Sequence, residues 1–369
     1  MTNSLESQLH YPLGERLPGP GEVIEVAPGV RWLRMRLPFA LDHINLWLLR
    51  DRADDGREGW AVVDCGIAND ATRANWEQVF ANGLDGLPVL RVLVTHMHPD
   101  HIGLANWLCE RWGRPADSTR PVFDDSQDCR LWISGTDWNA ARIASGLRSG
   151  FAGEPAVRHF QRNGMSNPEW LQQLRQRSSY YNTLVPEVPH KYRRLMDGMH
   201  VTIGDQEWVC IAGYGHAPEH IAFHCPALGV LISGDMVLPR ISTNVSVIDL
   251  EPEANPLPLY LSSITEMLAL PADTLVLPSH GRPFLGLHTR IEQLCQHHDE
   301  RFAEVLEACA EAPQSAFDLL PVLFKRPLDL HQTTFALGES IAHLHALQSR
   351  GQLRPVAGAD GVLRFALAG

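Results

Sequence analysis

The residues with the greatest chemical capacity lie in Thr95-His96-Met97-His98-Pro99-Asp100-His101, where four metal-ligating side chains fall within six positions. Chance supplies roughly 0.003 matches to His-x-His-x-Asp-His in a chain of this length and histidine content, so the cluster is read as a site rather than an accident. Imidazole and carboxylate together suit a borderline divalent cation such as zinc, manganese, iron or cobalt. Three further candidates follow along the chain: His216 in Gly215-His216-Ala217-Pro218-Glu219-His220, Asp235 in Ser233-Gly234-Asp235, and His280 in Pro278-Ser279-His280-Gly281.

The elements that must position these side chains can be read around them. Leu90 to Val94 is an uninterrupted apolar run, a strand buried on both faces, and Pro99 followed by Ile102, Leu104 and Ala105 begins a helix. Trp208 to Ile211, Val230 to Ile232 and Thr274 to Leu277 are apolar runs of the same kind. One arrangement thus recurs four times: a strand, then a ligand at its carboxyl end, where open α/β sheets place their sites.

These motifs resemble the metallo-β-lactamase-fold hydrolases of the dinuclear, glyoxalase II-like kind, over about residues 20–285. The resemblance implies an α/β fold, a four-layer αββα sandwich. It also implies two divalent metal ions, with zinc the first expectation and iron or manganese the alternatives. His96, His98 and His216 would hold one ion, Asp100, His101 and His280 the other, and Asp235 would bridge both. Asp64, at the end of the strand Trp60 to Asp64, would lie beside the ions and orient a ligand. The best-known zinc β-lactamases of this family carry a cysteine where Asp235 stands, so an antibiotic-resistance role is not expected.

Composition bounds the remaining classes. The chain has 369 residues, 44% of them hydrophobic, and a net charge of −12, which argues against nucleic acid or anionic lipid as the main partner. No apolar run approaches the length of a membrane span, and no secretory signal is visible at the start. Seven scattered cysteines without Cys-x-x-Cys spacing read as reduced thiols of a cytoplasmic protein.

The chain divides into an arm, residues 1–20, loosely attached; a main domain, 21–285; and a winged-helix-like tail, 286–369. Within the main domain, about 125–198 reads as a helical insertion. Its helices are expected over Asp128 to Leu147, Pro155 to Gln161 and Pro168 to Arg177, after a short strand at Pro121-Val122-Phe123. The aromatics Trp132, Trp138, Phe151, Phe160, Trp170, Tyr180 and Tyr181 would serve either as staples or as a lid with an apolar wall. In the tail, Leu287 to Ala310, 314–323 and 333–349 read as helices and Gly351 to Leu367 as a hairpin. Seven Lys and Arg against ten Asp and Glu there favour a packing or dimerisation module over nucleic-acid binding.

The implied mechanism is hydrolytic. Two cations sharing a water would make it a nucleophile near neutral pH, with Asp100 orienting it and accepting its proton. A thiolate leaves without strong acid assistance, its solution pKa being about 8.5. Small esters and thioesters of the acyl-CoA or acyl-glutathione type are therefore expected first. N-acyl lactones come next, and phosphodiester or RNA cleavage is the alternative from another class. His220 is expected to donate to substrate or orient a ligand, and Tyr214, Arg240 and Asn244 to contact substrate. For Arg240 a structural ion pair is the competing reading; His43 is read first as a surface imidazole, with entry into the site from its loop as the competing reading.

Overall fold

The computed structural model describes residues 3–114, 125, 128–146, 153–177 and 181–369. Two sheets face each other. The first runs in the order β1 (Ile24–Ala27), β2 (Val30–Arg36), β3 (His43–Arg52), β4 (Glu58–Val63), β5 (Val89–Leu93), β6 (Arg130–Ser134) and β7 (Tyr192–Leu195). The second contains β8 (His200–Ile203), β9 (Gln206–Gly213), β10 (His220–Cys225), β11 (Val230–Gly234) and β12 (Leu275–Pro278), arranged from β12 to β8.

The two-residue period of the strands builds the layers. In β3, Trp47 and Leu49 enter the core between the sheets, while Ile44, Leu46 and Leu48 face the helices outside. In β11, Val230 and Ile232 point inward and Leu231 outward. Helices α1 (Asp70–Asn82), α2 (Pro99–Ile102), α3 (Ala105–Arg111) and α4 (Gly135–Gly146) belong to the first sheet's outer side. Asn69 caps α1 by accepting from the Thr72 N–H at 2.7 Å. Helices α5 (Gly153–Arg162), α6 (Pro168–Gln176) and α7 (Tyr181–Leu184) follow, with α8 (Pro256–Glu266), α9 (Leu287–Glu311), α10 (Leu320–Leu323) and α11 (Leu330–Ser349) later in the chain. Together α5, α6, α8, α9 and α11 share one core on the outer side of the second sheet. The αββα expectation therefore holds. The chain closes with the hairpin β13 (Leu353–Ala357) and β14 (Leu363–Leu367).

Several expectations are corrected. Residues 130–134 form a parallel strand between β5 and β7, not the start of a helix. Three consecutive apolar residues, Leu131-Trp132-Ile133, do not separate strand from helix by periodicity, and burial inside the sheet decides it. The supposed insertion thus contains two sheet strands, β6 and β7, and only the helices between them are added. Of 314–323 only α10 is helical: Ser315 and Asp318 close a turn on each other at 2.6 Å, and Pro321 allows only a fresh first turn.

The arm is docked rather than loose. Asn3 donates to the Pro239 carbonyl at 3.0 Å, His10 pairs with Leu285, and Leu9 is buried in the outer core. The expected strand at Pro121-Val122-Phe123, and Phe151 and Tyr180, lie outside the described residues.

The added helices are stapled to the tail. Phe160, Leu171 and Leu174 share a core with Leu319, Leu337 and Ile341, and the Phe317 N–H donates to the Asn163 carbonyl at 3.1 Å. Helix α11 is buried along most of its length. Among the described residues, no helix is long and apolar enough to cross a membrane.

Candidate metal centre

The ligand candidates leave their strands at one rim of the sandwich: Asp64 after β4, His96 to His101 after β5, His216 after β9, Asp235 after β11 and His280 after β12. They form two groups. The His96 Nε2, His98 Nδ1 and His216 Nε2 atoms make a triangle with edges of 2.9, 3.1 and 3.2 Å. The Asp100 Oδ2 atom lies 3.6 Å from His101 Nε2 and 3.4 Å from His280 Nε2. Asp235 reaches both groups, with Oδ1 3.6 Å from His101 Nε2 and 3.4 Å from His280 Nε2, and Oδ2 3.3 Å from His216 Nε2.

The far nitrogens of the rings show that these atoms are meant for a cation. His96 Nδ1 meets the Thr95 hydroxyl at 3.0 Å, His101 Nδ1 the Asp64 carboxylate at 2.8 Å, His216 Nδ1 the Asn244 carbonyl at 2.7 Å and His280 Nδ1 the His43 carbonyl at 2.7 Å. A proton on each Nδ1 satisfies these acceptors; in the first group this leaves the Nε2 atoms of His96 and His216 as lone pairs beside His98 Nδ1, and in the second it aims the Nε2 atoms at the carboxylates. Lone pairs gathered this closely repel unless a positive charge lies among them. Ligands on a tetrahedral ion with bonds of about 2.0–2.1 Å stand about 3.3 Å apart, close to the observed edges. Among the described residues, His101 Nε2 and Asp235 Oδ1 are buried without hydrogen-bond partners, which a metal ion would supply. The residues therefore fit two ions.

The electrostatics agree. Burial, and then the neighbouring His216, push His98 down to about 3, a neutral imidazole ready to ligate. Burial also opposes charge on His280, yet Asp235 and Asp100 raise it to about 10, and His101 is likewise raised against its burial by Asp100 and Asp64. Without metal, the second group is thus two carboxylates neutralised by two imidazoliums.

The side chains expected to assist fall into place unevenly. Asp64, at φ +63°, accepts from the Thr95 N–H at 2.8 Å, from the Thr95 hydroxyl at 2.9 Å and from His101. His220 does not face substrate. It is fully buried, 5.0 Å behind the His96 ring, and its Nε2 accepts from the Asp235 N–H at 3.2 Å. A Cβ on Gly234 would come within 2.1 Å of that nitrogen, so only glycine fits at this φ of +54°.

Arg240 is exposed and pairs with Glu6 of the docked arm at 3.1 Å, the competing reading. Tyr214 is 41% exposed among the acids Glu219, Asp197 and Glu266, and among the described residues no hydrogen bond joins its phenol to the seven ligands. Asn244 acts on His216 through its carbonyl, while its side chain donates to Glu339 at 3.2 Å.

Three further contributors lie outside the expected set of ligands and substrate contacts. His43 holds the His280 loop twice, its carbonyl accepting from His280 and its Nε2 from the Gly281 N–H at 2.9 Å. Thr95 joins Asp64, His96 and His101 through one hydroxyl. Asp137 is buried and accepts from the Met97 N–H at 2.7 Å and the Glu219 N–H at 2.6 Å, tying the first ligand loop to that of His216. Burial raises Asp137 to about 6 against those bonds. Thr95, adjacent to the motif, and His43, in the loop before its strand, carry a sequence signal; Asp137 carries none.

A fold of two sheets with this rim of imidazoles and carboxylates defines a metallo-hydrolase, and the chain belongs to the metallo-beta-lactamase superfamily, whose family profile matches residues 40–280. A metallo-beta-lactamase-like C-terminal domain profile matches residues 302–368. Among solved structures, the chain is similar to a beta-lactamase domain protein from Burkholderia ambifaria, with 55% identity, a TM-score of 0.90, and coverage of 99% of this chain and 100% of that one. It is also similar to the probable metallo-hydrolase YqjP of Bacillus subtilis, 24% identical over 86% of this chain and 91% of the relative. The acyl-coenzyme A thioesterase MBLAC2 of Gallus gallus is 25% identical over 76% of this chain and 83% of the relative. The superfamily implies divalent metal ions at this centre.

Proposed function

We propose that the protein hydrolyses a small thioester of the acyl-CoA or acyl-glutathione type, with zinc as the expected metal. The observation that carries the reading is the bridge made by Asp235 between two buried nitrogen-rich groups. The thioesterase named among the relatives supports the bond type.

Bound divalent ions supply Lewis acidity towards both the attacking water and the substrate carbonyl. The chain does the rest. Asp64, Thr95, Asn244 and His43 fix the ligating rings in one tautomer and orientation, so no reorganisation is needed during reaction. Asp100 is the most exposed carboxylate of the centre, and its second oxygen is available to orient the water and take its proton. Before metal binds, burial works to raise this carboxyl, but His101 and His280 hold it below the ordinary carboxylate range. The thiolate of such a substrate departs without a strong general acid, since its pKa in solution is about 8.5.

A nucleic-acid substrate is not supported. The net charge is −12, and α11, which a winged helix would present to a groove, is mostly core. The test is turnover by purified protein of acyl-CoA, acyl-glutathione, N-acyl lactone and phosphodiester panels, with metal content measured on the same sample. Hydrolysis of phosphodiesters alone would refute the reading.

A further inference from the structure

Helix α11 carries Gly338 in its interior, where glycine costs about 1 kcal/mol relative to alanine, so the position calls for a packing reason. A Cβ there would lie 2.8 Å from the Ser246 Cβ and 3.0 Å from the Val247 carbonyl oxygen. The missing side chain thus lets the end of the segment from Asp235 to Val247 lie directly on the helix. The Val247 N–H donates to the Gly338 carbonyl at 3.1 Å, and Val245 and Val247 share a core with Leu337 and Ile341. Between them Asn244 is held by both ends of its amide: Oδ1 accepts from the Ser246 hydroxyl at 2.7 Å, and Nδ2 donates to Glu339 at 3.2 Å. The start of the same segment rests on α9, where buried Arg290 donates to the Leu238 and Ile241 carbonyls at 2.6 and 2.9 Å.

From this seating we infer that the tail is a working part of the metal centre: Gly338 and Glu339 are positioning residues that act on the ligand His216 through the Asn244 carbonyl. An amide bonded at both its oxygen and its nitrogen cannot turn without leaving a polar group unpaired, so Asn244 is fixed where α11 puts it. Its carbonyl meets His216 Nδ1 at 2.7 Å and so keeps His216 Nε2 on His98 and His96, at 3.1 and 3.2 Å. His101 and His280 take their ring partners elsewhere, from Asp64 after β4 and from His43 in β3. The support from α11 is therefore directed at the group holding His216. The inference concerns the ions alone and holds whichever bond is hydrolysed.

The experiment compares three variants of the full chain with the wild type. Glu339→Leu removes the acceptor for Asn244, Gly338→Ala pushes Ser246 off the helix, and Glu339→Gln keeps an acceptor in place. Zinc affinities come from competition against a chromogenic chelator, and solvent exchange of the histidine ring protons from NMR of the zinc-loaded protein. Glu339→Leu and Gly338→Ala should each weaken one equivalent of zinc about tenfold and leave the other within about threefold. The His216 ring proton, assigned by its absence in His216→Gln, should exchange at least about tenfold faster in both, with those of His101 and His280 within about threefold of wild type. Glu339→Gln should stay near the wild type in both measurements. Gly338→Ala, which adds a single methyl group, carries the test if Glu339→Leu does not fold. Unchanged His216 exchange, equal weakening of both equivalents, or a Glu339→Gln variant as impaired as Glu339→Leu overturns the assignment.

Discussion

Replacing Asp64 by Asn tests whether the centre is built around committed tautomers. Asp64 sits at φ +63°, a region that Asn tolerates as well as Asp, so the backbone should survive the change. Both carboxylate oxygens are occupied: one accepts the Thr95 N–H at 2.8 Å and the other His101 Nδ1 at 2.8 Å. Either orientation of the amide turns an NH₂ group towards a donor. If it faces His101, relief requires the ring to move its proton to Nε2, the atom aimed at the metal. A buried donor without an acceptor costs about 1–3 kcal/mol. With 1.4 kcal/mol worth about tenfold, zinc at the group holding His101 should bind about 10- to 100-fold more weakly. His96, His98 and His216 keep their own ring partners, so the first equivalent should bind nearly as in the wild type. Competition titration against a chromogenic chelator resolves the two steps. Two equivalents binding with wild-type affinities would refute the claim that Asp64 fixes the His101 tautomer.

Asp235→Ala removes an oxygen donor from each group at once, and should abolish most bound metal and most activity, read by elemental analysis and turnover on one sample; full activity would end the bridging assignment. Arg240→Ala, by contrast, breaks only an exposed pair with Glu6, so stability should fall by less than about 1 kcal/mol and KM change by no more than about twofold; a tenfold rise in KM would restore it to the substrate site. Metal uptake at pH 7 should release between about one and two protons, because His280, raised to about 10, and His101 are protonated in the metal-free protein. Calorimetry in buffers of different ionisation enthalpy measures that release, and a value near zero would contradict it. The sign for the metal-free fold follows: the raised imidazole stabilises it fully below the ordinary histidine pKa of about 6.5, and this contribution is lost as pH rises through about 10.

The ligands were legible because each ends a strand whose apolar run is itself legible, and because ligand types are rare enough for a cluster to stand out. Apart from Asp64, their partners were not, for physical reasons. His43 and Asn244 act on His280 and His216 through backbone carbonyls, which every residue possesses. Asp137 reaches Met97 and Glu219 from a helix 40 and 82 positions away in sequence, with no local pattern to mark it. For Arg240 the ion pair was a competing reading from the start, but its partner Glu6 lies on the arm read as loose. That arm is anchored by single contacts such as Asn3 to Pro239 and Gln293, whose partners lie more than two hundred residues away.

What holds seven side chains at ligand spacing is the joining of the two sheets at their shared rim. The Ile221 N–H donates to the Thr95 carbonyl at 2.8 Å, linking β10 to the first ligand loop, and the Asn45 N–H donates to the Ser279 carbonyl at 2.7 Å, linking β3 to the last. The Ser279 N–H in turn donates to the Gly234 carbonyl, beside Asp235. Asn45 completes the join with its buried amide, donating to the Pro278 and Gly281 carbonyls on either side of His280 and accepting from Trp32 and Arg34. An amide satisfied at every position cannot rotate without leaving a buried polar group unpaired. The repulsion among the lone pairs gathered in the first group is therefore borne by the packed sandwich, whose cross-sheet bonds would have to break before the ligands could spread apart.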